Sequence, residues 1–184
     1  MATIIGNMVV LNRRLLVLSL GLFLVALVLI GCGDSEAETA AKLAEENKAV
    51  VHRLWDAYNE RDVAILDEVC AENFVHTDPP GGSFSLDELK FAITNVVLNA
   101  YPDARWTIED TIAEGDKVVT HFTFNGTHQG ELMGVLPTGN KVSITGTGVF
   151  HVVDGKIVEW TANLDYLGMF QQIGAIPPLG EGEG

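Results

Sequence analysis

Apolar and polar residues alternate over the last third of the chain, and this alternation predicts a long β-hairpin. Asp154-Gly155 lies between two runs of strand-forming residues, and Asp-Gly favours a hairpin because a tight turn needs positive φ angles. Even-numbered positions are largely apolar in both runs, at 142–152 and 158–166, whereas odd-numbered positions are mostly polar. The two apolar sets share one face if the loop holds an odd number of residues. We therefore predict a three-residue loop, Asp154-Gly155-Lys156, with a bulge.

The pattern of the N-terminal half is helical. Apolar residues recur at three- and four-residue spacing between Leu43 and Tyr58, which predicts a helix with one buried face. A short second helix is predicted at 62–70, and a third follows the capping box formed by Ser85 and Glu88. Further strands are predicted at 73–76, 105–112 and 118–125. Three helices followed by a curved antiparallel sheet define an α+β fold, in which the helices close a cone and the pocket is expected at its mouth.

The first 31 residues have the features of a targeting segment. Arg13 and Arg14 precede an apolar run at 15–30, as in a secretory signal peptide. The run ends in Leu29-Ile30-Gly31-Cys32, which resembles the lipobox of bacterial lipoproteins, where the cysteine becomes the acylated N-terminus after cleavage. The alternative is an uncleaved anchor helix. Both interpretations hold the domain on a membrane, outside the cytoplasm.

These features divide the chain into four segments. They are a lipoprotein signal peptide at 1–31, a polar tether at 32–40, one folded domain at 41–178 and a disordered tail at 179–184. A domain of about 140 residues is large enough for one hydrophobic core and too small for two.

The charge of the chain excludes one class of partner. The formal net charge is −14, and removal of Arg13 and Arg14 with the leader takes it to −16. So acidic a surface repels phosphate backbones, and nucleic-acid binding is not expected. No His and Cys spacing predicts a metal site.

Several motifs together resemble one known family. They are Gly-Thr-His-Gln-Gly-Glu-Leu-Met-Gly-Val-Leu-Pro-Thr-Gly at 126–139, Asp-Gly-Lys-Ile-Val-Glu at 154–159, Asp165, and Leu-Gly-Met-Phe-Gln-Gln-Ile-Gly-Ala-Ile-Pro at 167–177. They are similar to the SnoaL-like polyketide and ester cyclases of the nuclear transport factor 2-like superfamily. The resemblance implies a cone-shaped curved antiparallel sheet packed against three N-terminal helices. It also implies acid/base chemistry without a metal or organic cofactor.

The resemblance locates the family's catalytic positions at residues that carry no polar side chain. The family aspartate corresponds to Ala162 and its companion histidine to Gly148, and neither residue can move a proton. We therefore take His76 and Asp165 as candidate catalytic residues. His76 is either a pocket contact or an ordinary strand-end histidine. Asp165 either catalyses or caps the segment that begins at Leu167.

Residues on the predicted apolar faces are candidates for binding a ligand. The small side chains among them are expected to leave room on that face. The candidates are Trp55, Tyr58, Phe122, Gly148, Trp160, Ala162 and Tyr166.

Two classes of function follow from the sequence. The first is a cofactor-free cyclase or isomerase that acts on a small apolar carbonyl or ester compound, with His76 and a tyrosine as acid/base partners. The second is a non-catalytic domain on the cell surface that binds a small apolar molecule or a protein. A pocket in which His76 meets a second polar group favours the enzyme. We also expect a homodimer that pairs through the polar face of the last two strands.

Overall fold

The computed structural model describes residues 35–78 and 82–177. The chain divides into two compact units, 1–42 and 43–184. In the first unit residues 35–42 are helical, so part of the segment that we assigned to a tether is a helix. The predicted signal peptide, Cys32 and the tail at 179–184 lie outside the described residues. Within the described residues, no helix is long and apolar enough to span a membrane.

The helices of the second unit include the three predicted ones, in the predicted order. They are α1 at 43–60, α2 at Ile65–Val69, α3 at Leu86–Ala92, a π-helical segment at Ile93–Val97, α4 at Leu98–Ala100 and α5 at Tyr166–Gln172. The capping box is confirmed, because the Ser85 hydroxyl accepts from the backbone N–H of Glu88 and the Glu88 carboxylate accepts from that of Ser85. The second helix is shorter than predicted, since Cys70 opens a strand.

Six strands form one curved sheet in the order β2-β1-β6-β5-β4-β3. They are β1 at Cys70–Asp78, β2 at Gly82–Ser85, β3 at Arg105–Glu114, β4 at Lys117–Thr127, β5 at Lys141–Val153 and β6 at Lys156–Leu164. Neighbours are antiparallel except β1 and β6, which run parallel. This arrangement confirms the α+β prediction.

The hairpin of β5 and β6 corrects one sequence prediction. Its loop has two residues, because Val153 pairs directly with Lys156, and both Asp154 and Gly155 have positive φ angles, as a type I′ turn requires. The three-residue loop was wrong. The shared apolar face was right from Trp160 onward, because a bulge at Val158 restores the register. Before the bulge Ile157 is buried in place of Val158.

The core lies between α1 and the inner face of the sheet. Trp55 of α1 packs on Phe122 of β4 with ring centroids 4.5 Å apart, and on Trp160 of β6 at 5.4 Å. Phe150 of β5 stacks on Trp160 at 5.2 Å. Each of these large rings buries a large apolar area. Trp55, Phe122 and Trp160 also line the cavity described next.

Candidate functional site

A cavity of about 320 Å³ opens within the second unit. It lies between the inner face of the sheet and α1, α3, the π-helical segment and α5, and its wall is mainly aromatic and aliphatic. Three tryptophans, Trp55, Trp106 and Trp160, contribute to the wall. A cavity of this size is typical of a small-molecule site.

His76 lies in the wall of this cavity, because the alternation of β1 points it inward. It is only 5% exposed, and its ring lies 4.3 Å from that of Trp160 and 5.9 Å from that of Phe84. Nδ1 lies 3.1 Å from the carbonyl oxygen of Trp160. A carbonyl oxygen only accepts hydrogen bonds, so Nδ1 carries the proton and Nε2 of the neutral ring keeps its lone pair.

Burial holds His76 in this neutral form. Desolvation lowers the pKa of His76 from 6.5 to about 4, against a smaller opposing effect of its hydrogen bond to the Trp160 carbonyl. Nε2 has no hydrogen-bond partner among the described residues. At neutral pH the cavity wall therefore contains an unprotonated ring nitrogen that can accept a proton or a hydrogen bond.

Asp78 and Tyr166 supply a second polar group in the same cavity wall. Asp78 follows His76 by two residues on β1 and faces the same side of the sheet. The Tyr166 hydroxyl, from the first residue of α5, donates a hydrogen bond to Asp78 Oδ2. Burial raises the pKa of the Asp78 carboxyl and, together with the Asp78 carboxylate, that of the Tyr166 phenol.

Sequence reasoning missed Asp78. We assigned it to the turn that contains Pro79, Pro80 and two glycines, and we ended the strand at His76. The signal that was present is the two-residue spacing from His76, which places both side chains on one face once the strand extends to Asp78. A longer strand could not be inferred locally, because it pairs with β2, a short strand that we did not predict.

Six of the seven predicted ligand-binding residues line the cavity. They are Trp55, Tyr58, Phe122, Trp160, Ala162 and Tyr166. Gly148 does not. A Cβ built at Gly148 would lie 2.8 Å from Phe150 Cε2 and 2.8 Å from Trp160 Nε1. The expectation that this glycine leaves room for a ligand is therefore corrected, because aromatic rings already occupy the space above it.

Asp165 lies outside the cavity wall and caps α5. Its side chain is exposed, and Oδ1 accepts a hydrogen bond of 2.8 Å from the backbone N–H of Gly168. Its carbonyl oxygen accepts from the N–H of Met169 at 3.0 Å. Of the two interpretations of Asp165, the capping role agrees with the structure. Asp165 and His76, the two candidate catalytic residues, do not meet in the cavity.

The described residues do not gather a metal-binding cluster. No group of three or more His, Cys, Asp or Glu side chains in the described ranges could hold a metal ion. Cys70 is buried, and its burial raises the pKa of the thiol to about 12, so it is not a ready nucleophile. The candidate chemistry of the cavity therefore rests on His76, Asp78 and Tyr166.

A curved sheet closed by helices over an aromatic cavity is the arrangement of the nuclear transport factor 2-like fold. The model of the SnoaL-like polyketide cyclase family matches residues 48–173, more than half of the chain. The chain belongs to the SnoaL-like polyketide cyclase family. Among proteins of curated function, none matches it.

Solved structures of similar proteins agree with this fold. AclR from Streptomyces galilaeus is 28% identical, with a TM-score of 0.67 over 75% of this chain and 87% of AclR. TsrD from Streptomyces laurentii is 26% identical, with a TM-score of 0.65 over 72% and 97%. IdmH from Streptomyces antibioticus is 29% identical, with a TM-score of 0.62 over 70% and 98%.

Proposed function

We propose that this domain is a cofactor-independent acid/base enzyme of the cyclase or isomerase type, which acts on a small apolar carbonyl or ester compound. The observation that carries the proposal is the neutral His76 in the wall of an apolar cavity. Its Nε2 lone pair accepts no hydrogen bond from the described residues. Asp78 and Tyr166 provide the second polar group that distinguishes a reactive pocket from one that only binds.

The low basicity of His76 indicates which proton it removes. A weak base, whose conjugate acid has a pKa of about 4, needs a fairly acidic C–H bond, because the rate of proton transfer depends on the strengths of both the acid and the base. Carbon between two carbonyl groups meets this requirement. In the proposed step Nε2 takes that proton, the C–H electron pair passes into the enolate, and the proton returns to carbon or oxygen.

Hydrogen–deuterium exchange tests this proposal directly. Ethyl benzoylacetate, an aromatic β-keto ester, is incubated in D2O with the full-length protein in lipid nanodiscs, and loss of the α-proton signal is followed by NMR. We expect faster exchange than with empty nanodiscs, and a decrease of the protein-dependent rate by about 10²–10⁴-fold in His76→Gln.

Asp165→Asn is the matched control, because asparagine also caps helices and should retain the exchange rate. Asp78→Asn tests the second polar group. A wild-type rate in His76→Gln would refute the role of His76. No acceleration by the wild-type protein would instead favour the non-catalytic binding domain, which the apolar residues Ala162 and Gly148 at the family's catalytic positions also support.

We further propose that the domain is displayed on a membrane outside the cytoplasm through an acylated Cys32. The apolar run and the Leu-Ile-Gly-Cys sequence at 29–32 support this proposal. A domain held at a membrane would meet apolar compounds where they are concentrated. This location suits a cavity with an apolar wall.

A further inference from the structure

The polar groups His76, Asp78 and Tyr166 have no free hydrogen-bond donor to offer a ligand. His76 has already used its N–H on the Trp160 carbonyl, so its free Nε2 can only accept. Tyr166 has used its O–H on Asp78 Oδ2. An ionised Asp78 has acceptors alone. The polar end of the cavity therefore presents acceptors.

Four other potential side-chain donors in the cavity wall are sealed from solvent. The indole N–H groups of Trp55 and Trp160 and the hydroxyls of Tyr58 and Tyr101 are buried without a hydrogen-bond partner. These residues contribute ring surface to the wall. Asp78 Oδ1 is sealed in the same way, and Asp78 Oδ2 and the Tyr166 hydroxyl are hydrogen-bonded to each other. Of the acceptors of His76, Asp78 and Tyr166, His76 Nε2 is therefore the one that is neither sealed nor hydrogen-bonded.

The charge of the cavity wall opposes the binding of anionic ligands. Asp78 is the one Asp or Glu among the described residues that line the cavity, and none of these residues is Lys or Arg. An anionic group brought near Asp78 would lose its hydration without gaining a positive charge. Carboxylate and phosphate ligands thus lack the positively charged partner that they require.

We propose that the cavity selects uncharged ring compounds that present a hydroxyl or enol O–H to His76 Nε2, and that it rejects anions. The inference deepens the proposed function, on which it rests for the use of this cavity, because a β-dicarbonyl compound in its enol form is such a donor. It assigns His76 as the residue that determines this specificity. The preference follows from the tautomer that the Trp160 carbonyl imposes.

Three probes of similar size separate the relevant properties. 2-Naphthol presents an O–H donor, 2-methoxynaphthalene has the same rings with an acceptor only, and 2-naphthoate is an anion. Their binding to the full-length protein in lipid nanodiscs is measured by titration calorimetry, with empty nanodiscs as the reference. We expect 2-naphthol to bind about 10- to 100-fold more tightly than 2-methoxynaphthalene, and 2-naphthoate to bind more weakly than both.

Variants assign the preference to one residue. His76→Phe keeps a ring between Phe84 and Trp160 but removes the acceptor, so the advantage of 2-naphthol should disappear while 2-methoxynaphthalene still binds. His121→Phe, on the exposed outer face, is the matched control and should keep the preference. ¹⁵N NMR of labelled histidine should show His76 protonated at Nδ1.

The inference is overturned by several results. These are equal binding of 2-naphthol and 2-methoxynaphthalene, binding of 2-naphthoate as tight as that of 2-naphthol, an unchanged preference in His76→Phe, and no binding of any probe. Loss of the preference in Asp78→Asn alone would move the acceptor to Asp78 and refute the assignment to His76. A 2-naphthol preference without proton exchange would leave this inference standing and refute the enzymatic proposal, so the two failures are distinguishable.

Discussion

Acid should destabilise this domain through His76 before most of its carboxylates protonate. The folded state lowers the pKa of His76 from 6.5 to about 4, so the unfolded chain binds this proton more strongly. Stability is therefore fully present above pH 6.5, and it falls as the pH decreases towards 4. The residue is 5% exposed, so solvent screens this effect little.

The size of the effect follows from the shift. A difference between 6.5 and about 4 corresponds to about 3 kcal/mol of unfolding free energy, of which about 2 kcal/mol is lost between pH 7 and pH 5. Asp78 acts in the opposite direction, because a raised carboxyl pKa costs stability as the pH rises. Glu88 and Asp103 have lowered pKa values, and their stabilising effect is lost only at more acidic pH.

Urea unfolding at a series of pH values between 7 and 5 measures the slope. The wild-type protein should lose about 2 kcal/mol more over this range than His76→Gln, which should start lower at pH 7 because it loses ring packing. His121→Gln, which removes an exposed histidine from the outer face, is the control. Parallel curves for the wild-type protein and His76→Gln would refute the burial argument.

Three further predictions concern packing, anchoring and assembly. Gly148→Ala should lower the unfolding free energy by about 1–2 kcal/mol, since its Cβ would lie 2.8 Å from the rings of Phe150 and Trp160. Unchanged thermal stability would show that these rings move easily. Cys32→Ser should abolish acylation. Mass spectrometry that finds an unmodified Cys32 at the wild-type N-terminus would contradict the lipoprotein proposal. We propose that the domain dimerises through the outer face of β5 and β6, which includes Val149, 39% exposed. Light scattering should give twice the protomer mass, and a monomer at tens of micromolar would count against it.

Local patterns determined most of the architecture. Alternation predicted the strands of the large hairpin, because burial of one face is a property of every second residue. The capping box at Ser85 predicted a helix start because its hydrogen bonds lie within four residues. The length of the β5–β6 turn could not be predicted from such a local pattern. Both a three-residue loop and a bulge further along β6 restore the same face, so the alternation could not distinguish them.

The candidate site was only half predictable. His76 and the apolar wall follow from strand and helix faces, which the sequence displays. Asp78 enters the cavity because β1 continues to pair with β2 beyond His76, and Tyr166 reaches it from α5, 88 residues later. Such a pairing depends on how distant segments meet, and no local pattern encodes it.

The sequence by itself therefore determined the fold class and the apolar character of the pocket, because both depend on the periodic burial of side chains. The tertiary structure decided which polar groups face that pocket and in what form. The Trp160 carbonyl sets the tautomer of His76, and burial lowers its pKa. Close approach of Phe150 and Trp160 closes the space at Gly148. These outcomes depend on distances and on desolvation between strands remote in sequence, which exist only after the sheet has formed.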